Sequence, residues 1–102
     1  MHPTRGTLRQ AAGTVFCLVN RERMRRGERP LTPGRSGDAC GQVGQNTAWG
    51  TLWLATPQTA VTAWMLSPAH RANILDPRYR SSTVSVRLLA GRGASYTQTF
   101  CG

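Results

Sequence analysis

The stretch WMLSPAHRANIL at residues 64–75 decides most of what the sequence predicts about the fold. Ser67 followed by Pro68 is typical of a helix start, because the serine oxygen can accept a free backbone amide and proline lacks an amide that would have no partner there. His70 then falls in the first turn of a short helix. The amides of a helix start disfavour positive charge, so the imidazole is expected to stay neutral with a lone pair open to a ligand. The alternative is a local hydrogen bond with no further role.

Around this stretch, the chain is predicted to form one domain over residues 1–102. Apolar residues recur at helical spacing early in the chain and alternate near its end, which indicates helices followed by paired strands. Gly27 is expected to end the first helix in a left-handed conformation. The predicted segments are a first helix (7–27), a shortened loop (28–44), a motif region with two helices (45–75) and a C-terminal β-hairpin (82–102).

The charge of the chain is strongly positive, with a formal value of +9 and arginine at all 13 basic positions. Such a surplus attracts nucleic acid, anionic lipid or acidic cell-wall polymers. The arginines between Arg21 and Arg29 form either a solvated helix end, with Glu22 neutralising Arg26, or an anion site. No run of about 18 apolar residues is present, so no transmembrane segment is predicted. Residues 1–14 lack the pattern of a signal peptide.

The cysteines leave the covalent framework open. Cys17, Cys40 and Cys101 allow one intrachain disulfide, and all three pairings are compatible with the sequence.

Catalytic chemistry has few candidate residues. The histidines are His2 and His70, and because zinc usually needs three or more converging protein ligands, neither a metal nor another cofactor is predicted. Asp76, the acid nearest to His70 in sequence, is interpreted as a helix-end or turn residue. Nucleophile and nucleotide-binding motifs are absent. The sequence therefore contains no self-sufficient catalytic group.

A second motif, GQNTAWG at residues 44–50, places Gln45 and Asn46 beside an aromatic residue. Two amides in this setting suit a polar pocket lining and a buried hydrogen-bond network equally well.

Together these segments resemble the CAP superfamily, the domain shared by cysteine-rich secretory proteins, antigen 5 and pathogenesis-related proteins of the first group, and most closely its bacterial branch. FCLVNRER at 16–23 with RPL at 29–31 resembles the family's first helix and its exit. The GQNTAWG motif resembles "G-E-N-I/L-A-W-G", and residues 64–75 resemble "W-x-x-S-P-G-H-R-x-N-I-L". The resemblance implies an α+β fold: a trimmed α-β-α sandwich with a small antiparallel sheet.

The chain departs from the family around the central cavity, which two histidines and acidic residues line and which sometimes holds a divalent metal. His70 matches the second histidine. The first lies on a helix for which this chain has only residues 32–43, so that helix is expected to be missing and part of the sheet or cavity to be uncovered. Gln45 replaces the motif's glutamate, and Ser67 stands where many members carry another acid.

These departures favour a non-catalytic binding module of a secreted or surface-associated bacterial protein. Its residual cavity around His70 would bind a small molecule, lipid or cell-wall component, without metal or cofactor. One alternative is a weak hydrolase with His70 as base, and another is an arginine-rich module for anions or, less expected, nucleic acid. The ligand-binding residues are predicted to be His70, Gln45, Asn46 and Ser67. The anionic-surface residues are predicted to be Arg21, Arg23, Arg25 and Arg26.

Overall fold

The computed structural model describes residues 3–35 and 37–102, so the prediction for His2 lies outside the described residues. Within these described residues, three α-helices and four β-strands form the domain. In chain order they are α1 (Leu8–Arg25), β1 (Thr32–Pro33), β2 (Val43–Thr51), α2 (Pro57–Leu66), α3 (Pro68–Leu75), β3 (Ser81–Leu89) and β4 (Gly93–Cys101). Single 3-10 turns precede α1 (Arg5–Thr7) and follow β2 (Leu52–Ala55).

The strands form one sheet in the order β1-β3-β4-β2, in which the three long strands are antiparallel. The α+β class and the antiparallel pairing of the last two strands are confirmed. The two-residue β1 lies inside the segment that the sequence predicts to be a loop (28–44). It pairs with β3 in parallel. Buried Leu31 fixes this segment, and Thr32 and Gly34 donate backbone hydrogen bonds to the carbonyls of Arg80 and Ser82.

The helices cover one face of the sheet, and the other face is exposed or half-buried along its described residues apart from Gly93. Burial alternates along β4, where Tyr96, Gln98 and Phe100 are buried against the helices and the residues between them are half-buried, as the two-residue period of a strand requires. On the opposite face Thr47, Trp49 and other outer residues of β2 are exposed. The sheet therefore lacks a second helical layer in the part of the chain that the structure describes.

The core lies between this sheet and the helices. Trp64 of α2 is 1% exposed, and its indole Nε1 donates to the carbonyl of Thr47 in β2 at 3.0 Å. Val15 and Val19 of α1 and Ile74 of α3 are fully buried in the same cluster. Burial of a polar indole is tolerated because its N–H has a partner.

The helix ends match most of the sequence signals. Helix α1 ends at Arg25 rather than near residue 27, and Gly27 has the expected left-handed conformation with φ 75°. Its amide donates to the carbonyl of Met24, and that of Glu28 to the carbonyl of Arg23, which together satisfy the last carbonyls of the helix.

A disulfide joins Cys40 to Cys101, and Cys17 is free and exposed on α1. No helix in the described part of the chain is both long and apolar enough to cross a membrane.

Candidate functional site

His70 lies in the first turn of α3, and its ring contacts the residue at the N-terminal boundary of the same helix. His70 Nδ1 is 2.9 Å from Ser67 Oγ. The predicted cap by the Ser67 side chain is wrong: its hydroxyl accepts no backbone amide of α3, whereas the Thr56 hydroxyl at the start of α2 accepts from the Thr59 amide. The serine oxygen is close to the imidazole instead, and the Ser67 carbonyl accepts the first helical bond from Arg71.

Asn46 connects this helix to strand β2. Its side chain is fully buried; Nδ2 donates to the His70 carbonyl at 3.0 Å, and Oδ1 accepts from Asn73 Nδ2 at 2.9 Å. Asn73 Nδ2 also donates to the Gln45 carbonyl at 3.3 Å. The amide of Asn46 thus has partners on both its oxygen and its nitrogen, and it fixes the backbone of α3 at His70.

Gln45 lies on the other face of the sheet. It is exposed opposite Thr99, and its Nε2 donates to Thr99 Oγ1 at 3.3 Å. Neighbouring residues of a strand point to opposite faces, so Gln45 and Asn46 cannot line one site. The structure therefore brings His70, Ser67 and Asn46 together and separates the Gln45 side chain from them.

The charges around His70 do not include a carboxylate partner. Within residues 3–35 and 37–102, no acidic side chain hydrogen-bonds the imidazole, and no three His, Cys, Asp or Glu side chains converge as a metal site would need. The Asp76 carboxylate instead accepts from the Arg78 backbone amide and from its guanidinium. These hydrogen bonds lower the pKa of Asp76, opposed by its partial burial.

The accessible surface near His70 is a half-buried imidazole and a half-buried hydroxyl. Four surface depressions of 330 to 650 Å³ lie elsewhere: against the start of α1, beside the disulfide, between α1 and α2, and near Glu28. None of these four is lined by His70 or Ser67.

The predicted anionic surface on α1 is wrong at Arg23, which is 1% exposed. The guanidinium lies inside the domain, where it donates to backbone carbonyls of four other residues. The sequence contains a signal for this burial, because position 23 continues the four-residue spacing of Ala11, Val15 and Val19, all of which are buried.

The remaining arginines of the predicted surface are exposed but partly neutralised. Glu22 accepts from Arg26 at 3.0 Å and lies 3.5 Å from Arg25. Arg21 is exposed as well. Of the four predicted residues, Arg21, Arg25 and Arg26 are therefore exposed to an anion, and two of them share one carboxylate.

Comparisons with known proteins agree with the motifs. A model of the cysteine-rich secretory protein family, CAP, matches residues 18–100. The fold is similar to that of a cysteine-rich secretory protein from Staphylococcus aureus subsp. aureus Mu50, with a TM-score of 0.80 and 15% identity; the match covers 97% of this chain but only 40% of that one. It is also similar to an outer surface protein from Borrelia burgdorferi, with a TM-score of 0.78 and 10% identity over 99% of this chain and 98% of that one. No curated protein matches the chain in sequence.

Proposed function

The chain belongs to the cysteine-rich secretory protein (CAP) family, and from this premise we propose that it is a non-catalytic binding domain of a secreted or surface-associated bacterial protein. Its ligand contacts the N-terminal end of α3 through His70 and Ser67. Asn46 is fully buried and donates to the His70 carbonyl, so it positions His70 and does not itself contact the ligand.

The observation that carries this proposal is the pairing of His70 with Ser67 in the absence of a carboxylate. A histidine that acts as general base is usually oriented by a further polar group, which also stabilises the imidazolium that forms. In the described residues, the only side-chain partner of the His70 ring is Ser67. The arrangement favours hydrogen bonding over proton transfer, and His70 Nε2 makes no hydrogen bond within the described residues.

An extracellular location is supported by the Cys40–Cys101 disulfide, because disulfides persist in oxidising compartments and are rare in the cytosol. The name of the matched family and that of the Borrelia relative, an outer surface protein, point the same way.

The chemistry of the ligand follows from charge and hydrogen bonding. With a formal charge of +9 the domain attracts acidic molecules, and the imidazole and hydroxyl at the site offer a donor and an acceptor. Fragments of bacterial cell wall carry carboxylates, amides and hydroxyls. Soluble muropeptides are therefore the probe of choice.

The test is a titration of the labelled domain with soluble muropeptides, followed by amide chemical shifts in NMR spectra. We expect saturable shifts at Ser67 and His70, lost in His70→Ala and retained in Arg71→Ala, a change of the exposed neighbouring residue. Shifts confined to other surfaces, or equal affinity of His70→Ala and the unchanged domain, would overturn the proposed site.

A second candidate function, a weak hydrolase, is favoured by the 2.9 Å contact between Ser67 Oγ and His70 Nδ1. A serine hydroxyl beside a neutral imidazole can lose its proton to the ring as it attacks a carbonyl. The same titration samples, followed by mass spectrometry over time, distinguish the two functions. Cleavage of muropeptides that disappears in both Ser67→Ala and His70→Gln would establish the hydrolase and contradict the binding proposal.

A further inference from the structure

Large apolar side chains are exposed at one end of the sheet, on both of its faces. We call this group the apolar tip; it consists of Trp49, Leu52, Trp53 and Leu54, at and after the end of β2, and Leu88 and Leu89 at the end of β3. The two indoles are 75% and 74% exposed. Tryptophan is highly buried on average, so two exposed indoles at the same end of the sheet indicate a surface that binds something.

The two segments of the apolar tip are neighbours through strand β4. Trp49 and Arg87 flank Ser95 in the sheet register, and Thr51 and Leu89 flank Gly93 in the next outward row. Because glycine has no side chain, no side chain of β4 lies between Thr51 and Leu89 on the outer face at that row. The Leu52 amide also donates to the Arg92 carbonyl at 3.1 Å, which joins the turn after β2 to the β3–β4 turn.

Both residues of that hydrogen bond have strained backbones. Leu52 has φ 53° and Arg92 has φ 59°, and no other non-glycine residue among the described ones has a positive φ. Such conformations are uncommon outside glycine, asparagine and aspartate. They persist only where the surrounding structure holds them, and they cluster at binding sites. Here they fix the turn that presents Leu52 and Trp53 to solvent.

The charged residues within and next to the chain segments of the apolar tip are arginines. Arg87 and Arg92 are exposed beside it, and the chain has no acidic residue over 39–75 or 77–102. The partner of this surface is therefore apolar where it meets the tip and negatively charged where it meets the arginines.

We propose that the apolar tip inserts into the surface of a bilayer containing anionic lipids. Tryptophan is favoured at the membrane interface, leucines bury shallowly among the acyl chains, and arginine side chains can reach up to lipid phosphates while their stems stay in apolar surroundings. This inference does not depend on the ligand site at His70.

The experiment is co-sedimentation with vesicles of equal parts phosphatidylcholine and phosphatidylglycerol, together with tryptophan fluorescence. We expect binding that weakens with added salt, because salt screens the attraction between the arginines and the lipid phosphates. We also expect a blue shift of the emission, from Trp49 and Trp53. Trp64 is already buried and contributes no shift.

The decisive variant combines Leu52→Asn with Trp53→Ser. Asparagine tolerates the positive φ at position 52, so the turn is retained while two apolar side chains are lost. Binding should weaken roughly tenfold or more. Leu66→Ser is the matched control: Leu66 is 81% exposed at the other end of α2, so its loss removes exposed apolar surface away from the tip and should leave vesicle binding unchanged.

A second variant, Arg87→Gln with Arg92→Asn, should reduce the preference for phosphatidylglycerol over pure phosphatidylcholine vesicles. Thermal unfolding of each variant verifies that the fold is kept. The proposal is overturned if the unchanged domain does not bind the vesicles, or if the apolar-tip variant binds them as well as Leu66→Ser does. Two other results would also overturn it. If the apolar-tip variant abolishes retention of the domain on insoluble peptidoglycan, the surface binds a glycan. If it abolishes a concentration-dependent dimer, the surface binds a second copy of the chain.

Discussion

The guanidinium of Arg23 on α1 donates a hydrogen bond of 2.8 Å to the carbonyl of Ile74, in the last turn of α3. It also donates to the carbonyls of Asp76, Tyr79 and Arg29. The last carbonyls of a helix have no partners within the helix and carry partial negative charge. One buried cation thus gives carbonyls at the end of α3 a hydrogen-bond donor. It joins α1 to the loop at Arg29 and to residues 74–79. Burial lowers the pKa of Arg23, opposed by the charges of Glu28 and Asp76.

Replacing Arg23 by methionine should destabilise the domain by about 3–5 kcal/mol, because four carbonyls, two of them in buried and two in partly buried hydrogen bonds, lose their donor at once. The free energy of unfolding in urea measures this loss. Arg21→Met, two residues earlier on the exposed side of α1, should change it by less than about 0.5 kcal/mol. Equal effects of the two substitutions would mean that Arg23 contributes no more than a surface arginine.

A second prediction compares two glycines, one with no room for a side chain and one with open space around it. A Cβ at Gly50 would lie 2.8 Å from the Leu54 carbonyl carbon, so Gly50→Ala forces the backbone apart and should cost about 1–3 kcal/mol. Gly13, within α1, has nothing within 4 Å of such a Cβ, and Gly13→Ala should stabilise the helix by about 0.5–1 kcal/mol. Thermal unfolding of both variants checks the opposite signs, and destabilisation by Gly13→Ala would contradict the local geometry.

Reduction of the Cys40–Cys101 disulfide should lower stability by about 4 kcal/mol on the chain-entropy estimate, given a sequence separation of 61 residues. The comparison is urea unfolding with and without reductant, on a Cys17→Ser background that removes the free thiol. In the domain that retains Cys17, peptide mapping without reductant should find Cys40 joined to Cys101. A linkage through Cys17 in the folded domain would contradict the fold at this end of the sheet.

Tyr96 predicts how stability depends on alkaline pH. Burial raises the pKa of its hydroxyl to about 12, from about 10 in an unfolded chain, and the hydroxyl donates to the Ala55 carbonyl. Between these pH values the unfolded chain loses the proton while the folded one keeps it. The protonated Tyr96 hydroxyl therefore makes its full contribution to the free energy of unfolding below pH about 10. That contribution is lost as the pH rises towards about 12. In Tyr96→Phe, the free energy of unfolding in urea should no longer fall over this pH range on account of residue 96. If it falls with pH as steeply as in the unchanged domain, the prediction is contradicted.

The sequence predicts those parts of the fold that depend on local physics. Gly27 as a left-handed helix end and the antiparallel pairing of the last two strands follow from conformational preference and alternation. The pairing of Cys40 with Cys101 could not be predicted, because it depends on where the loop before β2 meets the end of β4. Burial of Arg23 was predictable in principle from its helical spacing, but its charge favoured the interpretation as a solvated helix end.

The candidate site was only partly predictable for a similar reason. The family resemblance identifies His70, and the structure places Ser67 beside its ring. Once residues 43–51 are known to form a strand, its period places Gln45 and Asn46 on opposite faces. The motif alone does not show which way each side chain points, so from the sequence both amides are candidates for one site.

The placement of Gln45 and Asn46 on opposite faces of β2 gives a last prediction. Asn46→Leu leaves the His70 carbonyl and the Asn73 amide without their buried partner, so it should cost about 2–4 kcal/mol. Gln45→Leu, one residue earlier, removes only an exposed hydrogen bond to Thr99 and should change stability by less than about 0.5 kcal/mol. Urea unfolding compares the two, and amide hydrogen exchange in α3 should accelerate in Asn46→Leu alone, because the tie between β2 and the helix backbone is lost. If Gln45→Leu were the more damaging change, residue 45 rather than 46 would face the helices, and the register of β2 with β4 would be wrong by one residue.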